Sequence, residues 1–436
     1  MPWIAGYVLI VLLPLAVAFF ADPFPAPRPL PIEASVALGL IATVLGLIQF
    51  ALVSRLRPGR SVLPTDTLMQ FHRQMGITAL ALATAHPLLL TGYGMPASAW
   101  SPFAGSALTR SGAIALWALA LIVLSSVGRR RLRLRYETWQ AVHLGAALVI
   151  VGGSFAHAQL AGGYAATPPL RLLLLAGLAL FVVLALRYRL VRPLQMYRRP
   201  WEVVANDDAG GGTRLLRVRP VGHAGLTFLP GQFAWLITGR SPLWSQQHPV
   251  SIACSAAPQP AGALEFAVKA LGDWSGDTVP GLAPGHRLWI DGPFGAFTLQ
   301  EETDTAPTLV LIAGGIGIAP MRSLLLTLAD RGDRRPVHLI YAARDPGRVI
   351  CGADLDALRA RLDLRLVFVF EHPAGDWPGE RGRIDEPLLR RHLPGGFQRY
   401  RYFVCGPPAM IEAMEKTLLD MSVPSASINT ERFDLV

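Results

Sequence analysis

The segment from Met69 to Thr91 reads MQFHRQMGITALALATAHPLLLT. It is long and apolar enough to cross the hydrocarbon core of a membrane, which takes about 20 helical residues. It nevertheless holds His72 and His86, 14 positions apart, and a second apolar run over 138–160 holds His143 and His157 at the same separation. No other histidine occurs in the first 200 residues. Because ionisable groups are costly inside a bilayer, these four indicate a function.

Four more apolar runs, over 3–20, 34–54, 111–128 and 170–191, complete a predicted set of six spans. Arginines cluster in three of the flanking stretches: Arg55, Arg57, Arg60; Arg129, Arg130, Arg131, Arg133, Arg135; and Arg187, Arg189, Arg192, Arg198, Arg199. The other loops and their borders carry only Arg28, Arg110 and Arg171. The positive-inside bias therefore places the N-terminus and the second half of the chain in the cytoplasm, with spans 1, 3 and 5 running outward. The N-terminus lacks a basic n-region and a cleavage site, so we interpret it as a retained anchor.

Composition excludes other classes of protein. With 436 residues, a mean hydropathy of +0.38 and 16% charged residues, the chain is too apolar for an ordinary soluble enzyme. The net charge of +10 does not indicate nucleic-acid binding, because in the first half the arginines lie between apolar runs and nothing resembles a recognition module. Three cysteines, Cys254, Cys351 and Cys405, lack CxxC spacing, so we expect neither a disulfide framework nor covalently attached haem.

The histidine spacing predicts two metal centres. Fourteen helical residues return to nearly the same face and rise about 21 Å. Since spans 3 and 5 run in the same direction, we expect His72 and His143 to lie at the same depth in the membrane, near the cytoplasm. His86 and His157 should share a depth near the outer side. Such pairs of facing imidazoles predict two bis-axial haem sites. Interhelical hydrogen bonding or proton relay is the simpler alternative, and zinc would lack a carboxylate or thiol ligand at either level. Arg73 either contacts a propionate of the inner haem or is an ordinary interface arginine.

The second half reads as a globular sequence with two parts. Strand-like segments such as 213–218 and 233–237 alternate with turns, whereas from Leu309 onward apolar strands alternate with helical patterns. The latter pattern predicts βαβ units and a parallel sheet, and we expect the boundary near Glu302–Pro307.

Four motifs of the first part carry a family resemblance: Pro230-Gly231-Gln232-Phe233, His248-Pro249-Val250-Ser251-Ile252, Gly272-Asp273-Trp274-Ser275 and Gly292-Pro293-Phe294-Gly295. In this order they resemble the flavin domain of the ferredoxin–NADP reductase superfamily, and the version at 248–252 is similar to its ferric reductase and NADPH oxidase branch. The resemblance implies an FAD site in which 248–252 line the flavin. It also implies that Gly272, Trp274 and Ser275 lie at the pyrophosphate, where this segment offers backbone and hydroxyl donors. Many soluble relatives carry arginine at the position of His248, and a basic group suits the diphosphate in either case.

The second part carries two glycine motifs after apolar strands. Gly314, Gly315, Gly317 and Pro320 follow the strand 308–313, where a turn into a helix N-terminus favours a phosphate. Cys405, Gly406 and Pro407 follow the strand 402–404. Both motifs resemble the nicotinamide-nucleotide domain of the same superfamily, which implies that Cys405 lies near the nicotinamide; alone it would indicate a buried structural thiol.

The resemblance also concerns the C-terminal region. It implies that a terminal aromatic, here Phe433, stacks on the flavin with Glu431 nearby; the alternative is that Phe433 fills the core at the chain end. Arg344 and Arg348 follow the strand 337–342, where an arginine would bind the 2′-phosphate of NADPH. Arg344 is equally interpretable as an ordinary arginine at the end of a strand. The sequence therefore favours NADPH over NADH as the electron donor but does not exclude NADH.

The resemblance covers about 65–300 and 305–436 and implies a multi-domain membrane protein. We predict a six-helix transmembrane bis-haem domain over 1–198, an antiparallel β-barrel flavin domain over 199–303 and an α/β parallel-sheet NAD(P) domain over 304–436. Nicotinamide delivers a hydride, haem iron accepts single electrons, and flavin can do both. We therefore expect cytoplasmic NAD(P)H to supply electrons through FAD and two b-type haems to an outer acceptor, without need of a protein partner, in the cell membrane.

The acceptor is either oxygen or a ferric chelate. Members of the oxidase branch often place a further histidine one turn beyond the outer ligand, where this chain has Leu90. Two other classes stay open: a haem-containing membrane subunit that delivers electrons to a partner redox protein, and a transporter whose histidines relay protons.

Overall fold

The computed structural model describes residues 2–21, 28–54, 65–129, 131–132, 134, 136–243, 246–299, 306–373 and 375–432. Several sequence predictions lie outside this part of the chain: Arg55, Arg57, Arg60, Arg130, Arg133, Arg135, the 302–305 part of the predicted domain boundary, and Phe433. The described residues divide into a membrane unit, 2–54 and 68–191, and a soluble unit that runs on from Arg192.

Six long helices form the membrane unit within the described residues, as the sequence predicts. They are α1 (Pro2–Phe20), α2 (Leu30–Val53), α3 (Thr65–Thr91), α4 (Ala107–Gly128), α5 (Tyr136–Ala161) and α6 (Pro168–Leu186). All six are long and apolar enough to cross a membrane. A π-helical turn, Arg187–Val191, follows α6 and leads into the short helix α7, Arg192–Tyr197.

Close packing between α4 and α5 depends on a small residue. A Cβ on Gly153 of α5 would lie 3.2 Å from the Cβ of Ala115 and 3.2 Å from the carbonyl oxygen of Ser111, both in α4. In a membrane, where burial of apolar surface gives little drive for helix association, small residues allow this close van der Waals contact. The contact fixes α4 beside the C-terminal half of α5, which carries His157.

The first part of the soluble unit is an antiparallel sheet. Its strands are β1 (Trp201–Asp208), β2 (Thr213–Pro220), β3 (Phe233–Ile237), β4 (His248–Ser251), β5 (Leu264–Lys269) and β6 (Arg287–Phe294), in the order β4-β3-β6-β1-β2-β5. A single antiparallel bridge between Ile252 and Phe266 joins the two edges. The sheet therefore curls toward the predicted barrel, and within the described residues this bridge is the strand-type pairing that links its two ends.

The second part is a parallel sheet with helices on its faces. It contains β7 (Leu309–Gly314), α8 (Ile318–Arg331), β8 (Val337–Ala343), α9 (Gly352–Leu358), β9 (Leu364–Phe370), β10 (Glu380–Arg381), α10 (Glu386–His392), β11 (Arg401–Cys405), α11 (Pro408–Asp420) and β12 (Ile428–Glu431). The strand order is β10-β9-β8-β7-β11-β12, and every pairing is parallel. The order reverses between β7 and β11, and ligands of such sheets bind at that point, outside the carboxyl ends of the strands.

The two sheets of the soluble unit contact each other through the turn between β1 and β2. Gly211 of this turn has φ +60°, and a Cβ there would lie 2.7 Å from the carbonyl oxygen of Arg348. Glycine is required at this position both by the backbone conformation and by the close approach. The amide of Cys351 donates to the carbonyl of Ala209 at 2.8 Å, which secures the turn against the segment after β8.

Candidate functional site

The four membrane histidines lie in two pairs, each with one ring from α3 and one from α5. The ring centroids of His72 and His143 are 6.2 Å apart, and those of His86 and His157 are 5.9 Å apart. The structure therefore places close together the same histidines that the 14-residue spacing predicts to form pairs. Two imidazoles opposite each other offer a pair of nitrogen donors of the kind that could hold a metal ion.

The outer pair, His86 and His157, is oriented by backbone carbonyls of neighbouring helices. Nδ1 of His86 lies 2.8 Å from the carbonyl oxygen of Ser35, whose hydroxyl donates to the carbonyl of His86 at 2.8 Å. Nδ1 of His157 lies 2.9 Å from the carbonyl oxygen of Leu108. A ring nitrogen that faces a carbonyl must donate, so the hydrogen-bond partners assign the proton to Nδ1 in both rings. Nε2 of each ring is then left as the unprotonated nitrogen that a metal requires.

Two glycines allow α2 and α4 to approach these rings. A Cβ on Gly39 would lie 3.2 Å from Nδ1 of His86, and one on Gly112 would lie 2.7 Å from Nδ1 of His157. The second distance is shorter than real Cβ contacts. Gly112 is therefore required for the observed position of His157, and neither glycine is indicated by the histidine pattern.

In the inner pair, His72 and His143, the ring of His143 has side-chain neighbours instead. Nδ1 of His143 lies 3.4 Å from Oγ of Ser126, which also accepts from the indole N–H of Trp139 at 3.2 Å. The Trp139 ring lies 5.1 Å from that of His143. Arg73, which follows His72, is exposed on the surface of the unit.

In the soluble unit, the predicted flavin segment forms β4 and the residue after it. His248 stacks on Trp274 with the ring centroids 3.9 Å apart and the planes 7° apart. The indole N–H of Trp274 in turn donates to the hydroxyl of Thr238 at 2.8 Å. Two motifs that are far apart in sequence therefore form one aromatic platform. Thr238 could not be predicted from the sequence, because no motif marks it.

The remaining residues of the segment are more deeply placed. Pro249 and Val250 pair with Trp235 and Ala234 of β3. Ser251 and Ile252 are buried, and the amide of Ile252 donates to the carbonyl of Gln232 at 3.0 Å.

The segment 272–275 forms a tight turn that satisfies several of its own polar groups. The Ser275 hydroxyl donates to the carbonyl of Gly272 at 3.1 Å and accepts from the amides of Leu271 and Gly272 at 2.9 and 3.0 Å. A π-helical turn, Trp274–Thr278, begins directly after Asp273. The Ser275 hydroxyl therefore organises the turn, and the amides of Asp273 and Trp274 lie at the start of that helical turn.

The two glycine motifs of the nucleotide part meet at the reversal of strand order. Cys405 at the end of β11 pairs with Ala313 at the end of β7. A Cβ on Gly317 would lie 2.1 Å from the carbonyl oxygen of Cys405, and one on Gly406 would lie 3.1 Å from the backbone of Gly314. The two loops thus pack backbone against backbone at the N-terminus of α8, where free amides and the helix dipole favour an anion.

Residues next to these two glycine loops contact them closely. A Cβ on Gly314 would lie 2.9 Å from the ring of Pro407, and Pro320 is buried in the first turn of α8. The side chain of Tyr341 donates to the carbonyl of Gly315 at 3.1 Å. These contacts fix the path of the loop from β7 into α8.

Basic side chains lie close to this edge of the sheet. Arg344 and Arg348 follow β8 and are both exposed. Lys269, at the end of β5, has its Nζ 3.4 Å from the position that a Cβ of Gly315 would occupy. Lys269 is not among the residues predicted above, although a lysine at a strand end is distinctive in a chain with only two lysines.

Cys405 and Glu431 lie opposite each other on β11 and β12. Cys405 is fully buried, and burial, with the nearby Glu431 carboxylate, raises the pKa of its thiol well above the usual value. A Cβ on Gly295 would lie 3.1 Å from Oε1 of Glu431, so the carboxylate reaches the flavin part. The thiol is protonated at neutral pH, which suits a packing role and not nucleophilic chemistry.

Two family models match this chain. The model described as a ferric reductase like transmembrane component matches residues 38–154, which include His72, His86 and His143. The model described as an oxidoreductase NAD-binding domain matches residues 311–416, from β7 into α11.

Relatives support the second match. The chain is 31% identical over 214 residues to the xylene/toluene monooxygenase electron transfer component XylA of Pseudomonas putida, covering 48% of this chain and 58% of the relative. It is also 31% identical over 237 residues to a naphthalene 1,2-dioxygenase/salicylate 5-hydroxylase ferredoxin–NAD(P)(+) reductase component of Ralstonia sp, covering 53% of this chain and 67% of the relative. The chain thus spans somewhat over half the length of the curated relatives it matches first.

Among solved structures, a flavohemoglobin from Malassezia yamatoensis aligns with a TM-score of 0.51 and 17% identity, covering 92% of this chain and 97% of that one. At this identity the likeness concerns the fold alone.

The fold and the matches together define a multi-pass membrane protein with an FAD- and NAD(P)-binding reductase module, in the class of NAD(P)H-dependent oxidoreductases. Within that class, the two models match one polypeptide, which joins a ferric reductase-like transmembrane component to an oxidoreductase NAD-binding domain, as in a ferric reductase/NADPH oxidase-type fusion.

Proposed function

We propose that this protein oxidises NAD(P)H at its soluble unit on the cytoplasmic side of the cell membrane and delivers electrons to an acceptor outside. FAD and two b-type haems are the cofactors that its residues would hold. When bound, FAD would exchange a hydride with nicotinamide and single electrons with haem iron, which is the reason to join the three groups in one chain. No protein partner is required.

The observation that carries this proposal is the spacing of the two histidine pairs. An imidazole nitrogen bonds a metal at about 2 Å, so two rings that share one iron from opposite sides have centroids roughly 6 Å apart. The observed distances of 6.2 and 5.9 Å fit this arrangement. The Nδ1 contacts of the outer pair also fit, because metal-binding histidines commonly donate their other N–H to a carbonyl. His72, His86, His143 and His157 are accordingly the proposed ligands.

Small residues along the same face of α3 support the proposal. Gly76 follows His72 by one helical turn, and a Cβ there would meet no atom within 4 Å. Ala79 and Ala83 continue the face toward His86. A stripe of small side chains between two ligands leaves room for planar groups.

On the soluble side, the proposed roles follow the geometry. The stacked pair of His248 and Trp274, with residues 249–252 and the turn at Gly272–Ser275, would hold FAD. Gly314, Gly315, Gly317, Pro320, Gly406 and Pro407 would leave the backbone open to the pyrophosphate of the nucleotide, with Lys269 as a nearby cation.

The remaining roles concern the nicotinamide and the ribose. Cys405 and Glu431 would border the nicotinamide, and Phe433 would cover the flavin. Arg344 would contact the ribose 2′-phosphate, which favours NADPH over NADH.

Haem stoichiometry tests the proposal. Pyridine haemochrome analysis of the purified, fully loaded protein is expected to give two haems per polypeptide. The His86→Ala plus His157→Ala variant is expected to keep one haem, and so is the His72→Ala plus His143→Ala variant. His372→Ala, an exposed histidine of the soluble unit, serves as the matched control and should keep both. Fewer than two haems in the wild-type protein, or two in either double variant, would contradict the ligand assignment.

The acceptor is oxygen or a ferric chelate. Tyr93 and Phe103, with 51% and 92% of their surface exposed, lie in the connection between α3 and α4, which the charge distribution predicts to be outside. In proteoliposomes supplied with NADPH on the cytoplasmic face, superoxide formation and ferric chelate reduction are measured separately. Absence of both activities from haem-loaded protein would favour delivery to a partner redox protein instead.

A further inference from the structure

Arg322 of α8 connects the two parts of the soluble unit through the hydrogen bonds of its buried guanidinium, although its partner Asp354 is 46% exposed. The side chain of Arg322 is only 8% exposed. Nη1 donates to the carbonyl of Ala253 at 2.6 Å and to Glu265 Oε2 at 2.8 Å, both in the flavin part. Nε and Nη2 donate to Asp354 Oδ2 at 2.9 and 2.6 Å, in α9 of the nucleotide part. One guanidinium thus contacts three separate elements.

The residues that follow Arg322 extend this contact along the same helix. The Ser323 hydroxyl donates to the carbonyl of Cys254 at 2.7 Å. The Thr327 hydroxyl accepts from the amide of Ala256 at 2.8 Å. Ser323 and Thr327 are fully or almost fully buried. We call Arg322, Ser323 and Thr327 with their partners in 253–256 the α8 clasp.

The α8 clasp joins the two segments that matter most for the proposed chemistry. Ala253 directly follows the flavin segment 248–252, and Arg322 lies in the second turn of the helix that begins after Gly317. Ala253, Ala267 and Ala319 pack together beside the clasp and keep the backbones close. Displacement of α8 relative to residue 253 would therefore move the glycine loop relative to the flavin segment.

The chemistry of the clasp points to orientation more than to stability. Buried ion pairs are costly to desolvate, and apolar residues of similar size often give equal or greater stability. A planar guanidinium with fixed donors, however, satisfies its partners in one orientation only. An apolar contact between α8 and 253–256 would allow sliding, whereas this contact does not.

We propose that Arg322 is a positioning residue that sets the distance and angle between nicotinamide and flavin for hydride transfer. This rests on the proposed function. A misplacement of about 1 Å can cost about a hundredfold in rate, and the effect is expected on the rate of flavin reduction and not on the amount of bound FAD.

The experiment uses the full-length, FAD-loaded protein in detergent and measures anaerobic flavin reduction by NADPH in a stopped-flow instrument. Arg322→Lys keeps the charge but cannot reach Ala253, Glu265 and Asp354 together. Glu265→Gln keeps the volume and removes one charge. Both are expected to slow flavin reduction by about tenfold to a hundredfold, with a larger isotope effect from 4-deuterated NADPH and a weaker nicotinamide–flavin charge-transfer band. Arg361→Lys, in an exposed ion pair with Asp330, is the matched control and should change none of these.

The outcomes separate this inference from the proposed function. If the wild-type flavin is not reduced by NADPH at all, the proposed function fails. If the wild-type protein reacts and either variant retains FAD but reacts at the wild-type rate, Arg322 is not a positioning residue. Loss of FAD from both variants would also overturn the inference, since the clasp would then be structural. If only Arg322→Lys loses FAD, a slowed and FAD-loaded Glu265→Gln supports it.

Discussion

Replacement of Gly112 by alanine is expected to weaken the proposed outer haem site selectively. Gly112 lies on α4, where its missing side chain makes room for the ring of His157. The added methyl would lie 2.7 Å from Nδ1 and 2.9 Å from Cε1 of that ring. It would therefore meet the ring at the edge that holds its hydrogen bond to the carbonyl of Leu108.

The size of the effect follows from these distances. Ordinary van der Waals contact begins at 3.4 Å, so the ring or the helix must move by about 0.7 Å. A hydrogen bond of 2.9 Å does not survive such a shift unchanged, and its loss costs about 1 kcal/mol. Disturbing the hydrogen-bond partner of a ligating histidine typically lowers metal affinity by about 10- to 100-fold. We therefore expect outer-haem affinity to fall within that range, while the inner site is unchanged.

The measurement is a haem titration of the apoprotein followed by redox potentiometry, which separates the two sites. Gly6→Ala is the matched control, because a Cβ on Gly6 of α1 meets nothing within 4 Å. Gly112→Ala should show one weakened component with an altered midpoint potential, and Gly6→Ala should show none. Two wild-type haem affinities in Gly112→Ala would refute both the role of Gly112 and the position of His157 on which it depends.

Three further predictions concern the soluble unit. Gly317→Ala should weaken NADPH binding in a fluorescence titration by about tenfold or more, since its Cβ would overlap the carbonyl oxygen of Cys405; Gly281→Ala, with open space around it, should bind normally. Cys405 should resist maleimide labelling at pH 8 in the folded protein and react only after unfolding, because burial raises the pKa of its thiol; rapid native labelling detected by mass spectrometry would contradict this. Burial opposes ionisation of Glu265, yet Arg322 and Arg217 hold its pKa below the usual value of 4.5. The wild-type protein should therefore be more stable than Glu265→Gln by a constant amount above pH 4.5, and this difference should disappear as the pH falls further below that value. Thermal unfolding of both proteins across this pH range measures the difference.

The membrane half was predictable because its signals are local. Apolar length fixes the six helices, and helical periodicity places His72 and His86 on one face of α3. The residues that orient these rings were not predictable in the same way. Ser35, Gly39 and Gly112 belong to α2 and α4, and their relation to the histidines depends on how helices pack, which no local pattern encodes.

The soluble half likewise contains features that the sequence predicts and features that depend on the fold. Strand and glycine motifs indicated the two sheets and the loops at 314–317 and 405–407, because phosphate-binding turns have recognisable spacing. Thr238 and Arg322 were not predictable, since each forms hydrogen bonds with a partner from a distant segment. Arg322 looked like an ordinary helix residue in the sequence, and only the fold shows that Ala253 and Glu265 surround it.

Gly211 limits how the nucleotide preference of this protein can be re-engineered. The side chains of Arg344 and Arg348 are exposed, but the backbone of their loop contacts the β1–β2 turn, and a Cβ at position 211 would lie 2.7 Å from the carbonyl oxygen of Arg348. A loop transplanted from a relative brings its own backbone path, which this turn would obstruct. Transplants that carry residues 209–212 together with 344–351 should therefore fold where transplants of the loop alone do not. If Arg344 sets the coenzyme preference as proposed, that preference would depend on two segments that lie far apart in the sequence.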